Sequence, residues 1–211
     1  ACIMIRLFDY YRSSASYRVR IALNLKGLDY ERVPVNLLNN DQKSDEYRAS
    51  NPQGLVPMLE IDGAQLTQSL SIVNYLNSVY PDPPLAPSDP VAAAHVRSMA
   101  QVVASDIHPL NNLRVLGYVT NVLGHDKDTR ARWYAHWVHE GFEALEQLAI
   151  RHGGAYLSGD LPGLADLCLV PQMFNARRFD IPLDDYPTLV AYDAKANALD
   201  AFEAAHPDRF D

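Results

Sequence analysis

The 211-residue sequence predicts an α/β first half of βαβ-ββα order, built on a mixed four-stranded sheet, and an all-α second half. Three observations carry that prediction. Strand and helix patterns alternate as far as about residue 80. Five prolines then fall within ten residues, at Pro81, Pro83, Pro84, Pro87 and Pro90. Beyond them no stretch has convincing strand character, and apolar residues recur at helical spacing instead. Proline lacks an N–H and fixes φ, so neither a helix nor a central strand crosses such a cluster. The linker is placed at about residues 81–90 and the domains at 1–84 and 85–211.

Taken in order, Ile5 to Tyr10 reads as a short strand. Arg18 to Lys26 reads as a helix with Val19, Ala22, Leu23 and Leu25 on or near one face, and Gly27 stops it. Tyr30 to Val35 is a second strand, and Pro34 places it at a sheet edge. Asp41 to Ala49 carries a short helix, and Asn51-Pro52-Gln53-Gly54 a turn. Pro57 to Ile61 and Gln65 to Thr67 form a hairpin about Asp62-Gly63. Ser69 to Tyr80 is an amphipathic helix with Ile72, Val73, Leu76 and Tyr80 in step. The βαβ unit demands a parallel strand pair and the hairpin an antiparallel one, so the sheet is mixed. After the linker, helices are expected at Ala92 to Leu123, Thr129 to His152, Leu164 to Phe179 and Pro187 to Ala204, with Pro109 kinking the first.

Composition narrows the partners. Eighteen basic against 26 acidic residues give a net charge of −8. A general nucleic-acid binder needs a cationic footprint to displace counterions, and a surface docking on anionic lipid needs one too, so both are excluded. The first ninety residues carry 8 basic and 10 acidic side chains and the remainder 10 and 16, so any anionic ligand must find local arginines. Cys2 and Cys168 share no metal-ligand spacing and fit a reducing, cytoplasmic compartment. No apolar run is long enough to span a membrane and no signal peptide is visible; Met4 is a candidate natural start. The seven histidines are scattered, no metal site is assigned, and there is no Gly-rich phosphate loop.

Several short segments offer chemistry. In Tyr11-Arg12-Ser13-Ser14-Ala15-Ser16-Tyr17-Arg18, one of the serines is expected to cap the first helix. The same helix N-terminus would also stabilise an anion, and a thiolate gains from that field. No cysteine of this chain lies there, so a reactive thiol would have to arrive with a ligand. Val56-Pro57 opens a strand; a trans bond is the ordinary case, whereas a cis bond would turn the Val56 backbone outward for a peptide-like ligand. Gln68-Ser69 precedes a helix, with Ser69 either a simple N-cap or part of a carboxylate site. At Asn175-Ala176-Arg177-Arg178-Phe179, one arginine is expected to serve the helix C-terminus. The sharper alternative is a guanidinium fork for a substrate carboxylate.

Taken together these residues resemble the zeta class of glutathione transferases, the family of the maleylacetoacetate and maleylpyruvate isomerases. The most specific match is Ser13-Ser14-Ala15-Ser16-Tyr17-Arg18-Val19-Arg20-Ile21-Ala22-Leu23, similar to the class signature Ser-Ser-Cys-x-x-Arg-Val-Arg-Ile-Ala-Leu. Asn51-Pro52, Val56-Pro57, Gln68-Ser69, Ala165 to Gln172 and Tyr186-Pro187 support it, and the resemblance spans nearly the whole chain.

The resemblance implies a thioredoxin-like N-terminal domain, a helical C-terminal domain and a homodimer. It implies glutathione as cofactor, with Ser13 bonded to its sulfur and Ser14 beside it. Val56, before a cis Pro57, would pair with the cysteinyl backbone, and Gln68 and Ser69 would hold the γ-glutamyl end. Gln42, His108 and Asn112 fall where relatives contact glutathione or close the site. Arg12 and Arg178, with Arg114 a further candidate, would hold the carboxylates of a small dianionic maleyl substrate. The implied reaction is glutathione-dependent cis–trans isomerisation. Its rivals are maleylpyruvate as the substrate, a general transferase acting on small α-halo acids, and a non-catalytic protein-contact module. Three positions depart from the family: Ala15 stands for Cys, His108 for Gln, and Gly163 for a Ser or Thr helix cap. The glycine is expected to cost only a few tenths of a kcal/mol (~0.3) as a cap.

Overall fold

The computed structural model describes residues 4–211; Ala1 to Ile3, and with them Cys2, lie outside the described residues. Two units separate within it. One comprises the residues up to Pro84 together with Ala198–Asp211, and the other is Leu85–Asn197. The boundary beside Pro84 falls inside the proline cluster. The last fourteen or so residues, expected in the helical half, instead pack with the first unit. The reason is specific: Arg20 and Asn24 side chains donate to the carbonyls of Ala205 (3.0 Å) and Ala201 (2.9 Å).

The first unit holds a sheet in the order β2-β1-β3-β4. Strand β1 (Ile5–Asp9) pairs in parallel with β2 (Glu31–Pro34) and antiparallel with β3 (Met58–Ile61), which pairs antiparallel with β4 (Ala64–Thr67). The sheet is therefore mixed, and β2 with Pro34 is an edge. The β3–β4 hairpin turns through Asp62 and Gly63, both at positive φ (49° and 80°), as a tight hairpin turn requires. Helix α1 (Ser14–Leu25) begins four residues before the predicted start. Its first turn is buried on every side, so no apolar stripe announces it. Between β2 and β3 the chain makes two 3₁₀ turns and the short helix α2 (Asp45–Ser50). Helix α3 (Ser69–Val79) packs on α1.

In the second unit, the predicted helix at Ala92 to Leu123 is broken. Helix α4 (Pro90–Gln101), with Pro90 in its first turn and capped by Asp89, runs into a π-helical segment at Val102–Ile107. Helix α5 (Leu113–Asn121) follows, its cap the Asn112 side chain. The break thus starts before Pro109, where the wider π turn already abandons α-helical pairing. Helix α6 (Lys127–His152) is amphipathic, with Tyr134, Val138, Phe142, Leu145 and Ala149 buried. Helix α7 (Leu164–Arg178) is buried from Leu164 to Met173, the pattern of a core helix. Helix α8 (Pro187–Asn197) begins where Glu146 accepts the N–H groups of Thr188 (2.9 Å) and Leu189 (3.0 Å). The short α9 (Asp200–Glu203) lies in the returning tail and packs on α1. Among the described residues, no helix is long and apolar enough to cross a membrane.

Candidate active site

Strand register gathers the first unit's candidates at one end of its sheet. Phe8 pairs with Met58, and Met58 with Thr67. The loop after β1, the Val56-Pro57 step before β3 and the Gln68-Ser69 step after β4 therefore leave the sheet at the same end.

Ser13 is the N-cap of α1. Its φ and ψ of −68° and 118° are non-helical, and its Oγ accepts the Ser16 N–H at 3.2 Å. The Ser13 N–H closes a turn onto the Tyr10 carbonyl (2.9 Å). Capping and sulfur binding are compatible in one hydroxyl, because the cap uses a lone pair and leaves the proton to donate. No acidic residue occupies the first turn of α1, so the helix N-terminal field is not offset by its own side chains. Ser14 is buried behind Ser13, and Ala15 fills the signature cysteine position at 8% exposure, within the core.

The Val56–Pro57 bond is cis. Leu55 just before it is pinned, its carbonyl accepting from Tyr47 Oη and Asn51 Nδ2, both at 2.7 Å. Among the described residues, neither the N–H nor the C=O of Val56 carries a backbone hydrogen bond. Gly54 cannot be replaced easily: φ is +62°, and a Cβ there would lie 2.9 Å from the Gln42 carbonyl. Gln42 is buried, and its side-chain oxygen has no hydrogen-bond partner among the described residues. A buried amide oxygen in that state is costly unless a ligand donates to it.

Ser69 is not the cap of α3. Gln68 holds that position, at φ 68°, without a capping side-chain bond, and Ser69 is the first helical residue. The Ser69 hydroxyl instead accepts from Arg18 Nη1 at 3.1 Å, which again leaves its proton to donate. Gln68 Nε2 donates to Gln53 Oε1 at 2.6 Å. This corner combines the N-terminus of α3, an oriented hydroxyl and a buried guanidinium, groups of the kind that can hold a carboxylate.

Arg12 is exposed, lies over the Tyr11 ring (5.0 Å), and has Nη2 3.8 Å from Asp211 Oδ2. The Tyr11 hydroxyl donates to the Asp211 carboxylate, which raises the Tyr11 pKa. In the second unit, His108 closes the π segment by donating its N–H to Val103 (2.9 Å). Asn112 Oδ1 accepts the Arg114 N–H at 3.0 Å, so capping α5 occupies one side of that amide. Arg114 itself is exposed. The twin arginines are sorted by their partners. Arg177 Nη2 binds the buried Asp193 carboxylate at 2.7 Å, which is a structural bond. Arg178 is exposed, rests over Phe174 and Phe179, and makes one long hydrogen bond, to Asn175 Oδ1 at 3.3 Å. Of the two, Arg178 therefore has the guanidinium less engaged by the protein's own side chains.

Sequence reasoning did not single out Arg18, Gln53 or the group around Asp9. Asp9 and Arg20 are both fully buried and paired at 2.8 Å, with Arg32 on the other Asp9 oxygen at 2.7 Å. Burial lowers the Arg20 pKa while Asp9 opposes the shift. The one available signal was an arginine at i and i+2 of a helix, which cannot both face solvent on one stripe. No group of three or more His, Cys, Asp or Glu side chains able to hold a metal occurs among the described residues.

A four-stranded mixed sheet of β2-β1-β3-β4 order, with a helix-capping serine after its first strand and a cis proline before its third, defines the class as a thioredoxin-like fold. Comparison with known proteins agrees. Residues 7–84 match the glutathione S-transferase N-terminal domain. The maleylacetoacetate isomerase of Rhizobium meliloti is 48% identical over 204 residues, 96% of each chain. A solved holo structure of a maleylpyruvate isomerase, a bacterial zeta-class glutathione transferase, superposes with a TM-score of 0.93 at 43% identity over 96% of each chain. A maleylacetoacetate isomerase from Methylobacterium extorquens, solved with malonate and glutathione, gives 0.94 at 39% identity over 98% of each. The chain belongs to the zeta class of the glutathione transferases, the family of the maleylacetoacetate and maleylpyruvate isomerases.

Proposed function

We propose that this protein is a glutathione-dependent isomerase converting maleylacetoacetate to fumarylacetoacetate, working as a cytoplasmic homodimer. The observation that carries the reading is Ser13: a hydroxyl fixed by its own capping bond, with its proton left to donate at the N-terminus of α1. Bound glutathione supplies a thiolate that adds reversibly to the cis double bond, so that the bond can rotate before elimination restores it as trans. Ser13 and the α1 amides hold that sulfur as its anion. Gln42 and the Val56 backbone are suited to the peptide, and Ser69 with Arg18 to the γ-glutamyl carboxylate. Arg178 and Arg12 are the cations assigned to the substrate carboxylates and to the negative charge that develops on the substrate carbonyl. His108 and Asn112 are assigned to the glutathione side and Arg114 to the substrate side, as the family resemblance implies.

Maleylpyruvate is the second reading, favoured by the 0.93 superposition on a maleylpyruvate isomerase. Both substrates present the same maleyl carboxylate, so the contacts named here serve either. The experiment mixes the protein with each acid, with and without glutathione, and follows loss of the cis isomer. Turnover only with glutathione is expected, faster for maleylacetoacetate, and reduced about 10²–10³-fold in Ser13→Ala. Equal turnover in Ser13→Ala, or none with either acid, sinks the reading. Sedimentation of the free protein tests the dimer.

A further inference from the structure

We infer that Arg20 is a positioning residue for the Ser13 turn, and that the C-terminal segment acts on the active site through it. The inference rests on the thiolate role proposed for Ser13. Arg20 is fully buried and lies two turns into α1, away from any ligand position named above. Its guanidinium makes three bonds to three different pieces of the unit. Nη1 binds Asp9 Oδ2 at 2.8 Å, at the last residue of β1. Nη2 binds the Tyr11 carbonyl at 2.9 Å, in the middle of the turn that Ser13 closes. Nε binds the Ala205 carbonyl at 3.0 Å, in the returning tail. Phe210 then covers the group, its ring centroid 5.1 Å from the Arg20 guanidinium and 4.0 Å from that of Arg32.

The geometry matters because, while the exposed Tyr11 and Arg12 side chains reach Asp211 of the tail, the buried centre of the turn is tied through Arg20. Tyr10 to Ser13 is bridged by a single backbone bond across its ends, from Ser13 N–H to Tyr10 O. The carbonyl of Tyr11 at its centre is held by Arg20. A planar fork with fixed donor directions sets strand end, turn centre and tail against one another at once. Lysine can neutralise Asp9 but has no fork with which to hold all three. Loss of the Tyr11 carbonyl tether loosens the centre of the turn that presents both the Ser13 hydroxyl and Arg12, which the contacts of Tyr11 and Arg12 with Asp211 hold only at their side chains. A small displacement of a donor from a thiolate is expensive in rate, because the donor acts only over hydrogen-bond distances.

A purely structural Arg20 would change stability alone. A positioning Arg20 also changes the acidity of the bound thiol, so that acidity is the discriminating measurement. The thiol of bound glutathione is titrated by its ultraviolet thiolate absorbance in wild type, Ser13→Ala, Arg20→Lys and Phe210→Ala, with glutathione affinity, kcat and circular dichroism measured beside it. In Arg20→Lys the bound thiol pKa is expected to rise by about one unit, and kcat to fall about tenfold, with glutathione affinity changed less than about twofold. Phe210→Ala, which keeps the fork and removes its cover, should give a smaller rise in the same direction and stands in if Arg20→Lys does not fold. A folded Arg20→Lys with wild-type thiol acidity overturns the inference, as does an unchanged value in Phe210→Ala where the lysine variant fails to fold. Ser13→Ala separates the two levels. If it leaves the thiol acidity unchanged, the thiolate role itself falls, and this inference with it. If it raises the thiol pKa while Arg20→Lys does not, only the positioning role falls.

Discussion

Ser13 can serve structure and the chemistry proposed for it without conflict. Its capping bond to Ser16 N–H uses an acceptor site, and the sulfur contact proposed for it would use the donor. A loss of stability in Ser13→Ala, about 0.5–2 kcal/mol for a cap, therefore accompanies any loss of rate and must be measured beside it. Arg177 and Arg178 make the opposite case, since two adjacent and identical side chains divide the work. Arg177 neutralises Asp193, which is 2% exposed, while Arg178 stays at the surface over two aromatic rings. Arg177→Ala should therefore cost about 1–2 kcal/mol in urea unfolding, the lower part of the range for a charged hydrogen bond because Arg177 is half exposed, and should leave kcat per folded molecule as it was. Arg178→Ala should leave the midpoint within error and cut maleyl-acid turnover about 10–100-fold, while conjugation of a neutral electrophile is retained. The reverse assignment would show in the same two measurements. Adjacent arginines carry no periodic signal that tells them apart; what separates them is Asp193, sixteen positions away in sequence, and that distance is invisible before folding.

At the scale of elements, the N-terminus of α7 explains a family departure that looked like a small defect. Gly163 has no hydroxyl with which to cap the helix, and none is missing. Ser158 Oγ accepts the N–H groups of Ala165 (2.9 Å) and Asp166 (3.3 Å) from across the loop. The Asp166 carboxylate accepts from Leu157, Ser158 and Gly163 at 2.9–3.0 Å, although its burial raises its pKa. A Cβ at Gly163 would sit 2.2 Å from the Leu85 carbonyl, an oxygen already used by the Leu164 N–H. Restoring the family serine should therefore destabilise rather than help. Gly163→Ser is expected to lower the thermal midpoint, and Ser158→Ala to cost about 0.5–2 kcal/mol, the ordinary worth of a cap. A more stable Gly163→Ser would show that the loop gives way. The strands and the hairpin were legible because their signals are local: alternation, Asp62-Gly63, and Pro34 at an edge. The caps that failed to show, Ser158 for α7 and Gln68 rather than Ser69 for α3, depend on where a loop returns in space. The start of α1 was hidden for a different reason, since a helix turn buried all round has no polar face to set its period.

Across the whole molecule, the first unit runs to Pro84 inside the proline cluster but also takes in Ala198–Asp211, so a restriction of the backbone is not by itself a folding boundary. The first unit is made of two pieces of sequence, and the second piece had no visible signature. Its anchors are the carbonyls of Ala201 and Ala205, groups that every residue carries, so nothing in side-chain pattern could announce them. The energetics give the tail weight. Phe202 and Ala205 are fully buried, and burying a phenylalanine is worth about 1.5–3 kcal/mol. Without the tail, Arg20 Nε and Asn24 Nδ2 lose their acceptors, at about 1–3 kcal/mol where the group stays buried. Against a total of about 5–15 kcal/mol for an ordinary domain, that loss consumes much of the margin. A fragment of residues 4–84, cut at the boundary the prolines suggest, is thus expected to be largely unfolded by near-ultraviolet circular dichroism and amide dispersion. The same fragment joined through a flexible linker to residues 198–211 should recover a cooperative transition, and Phe202→Ala within it should abolish that recovery. A fragment of 4–84 that folds as well alone as with the tail would refute the two-piece unit. It would also remove the route by which Phe210 and Ala205 reach Arg20, and through it the Ser13 turn.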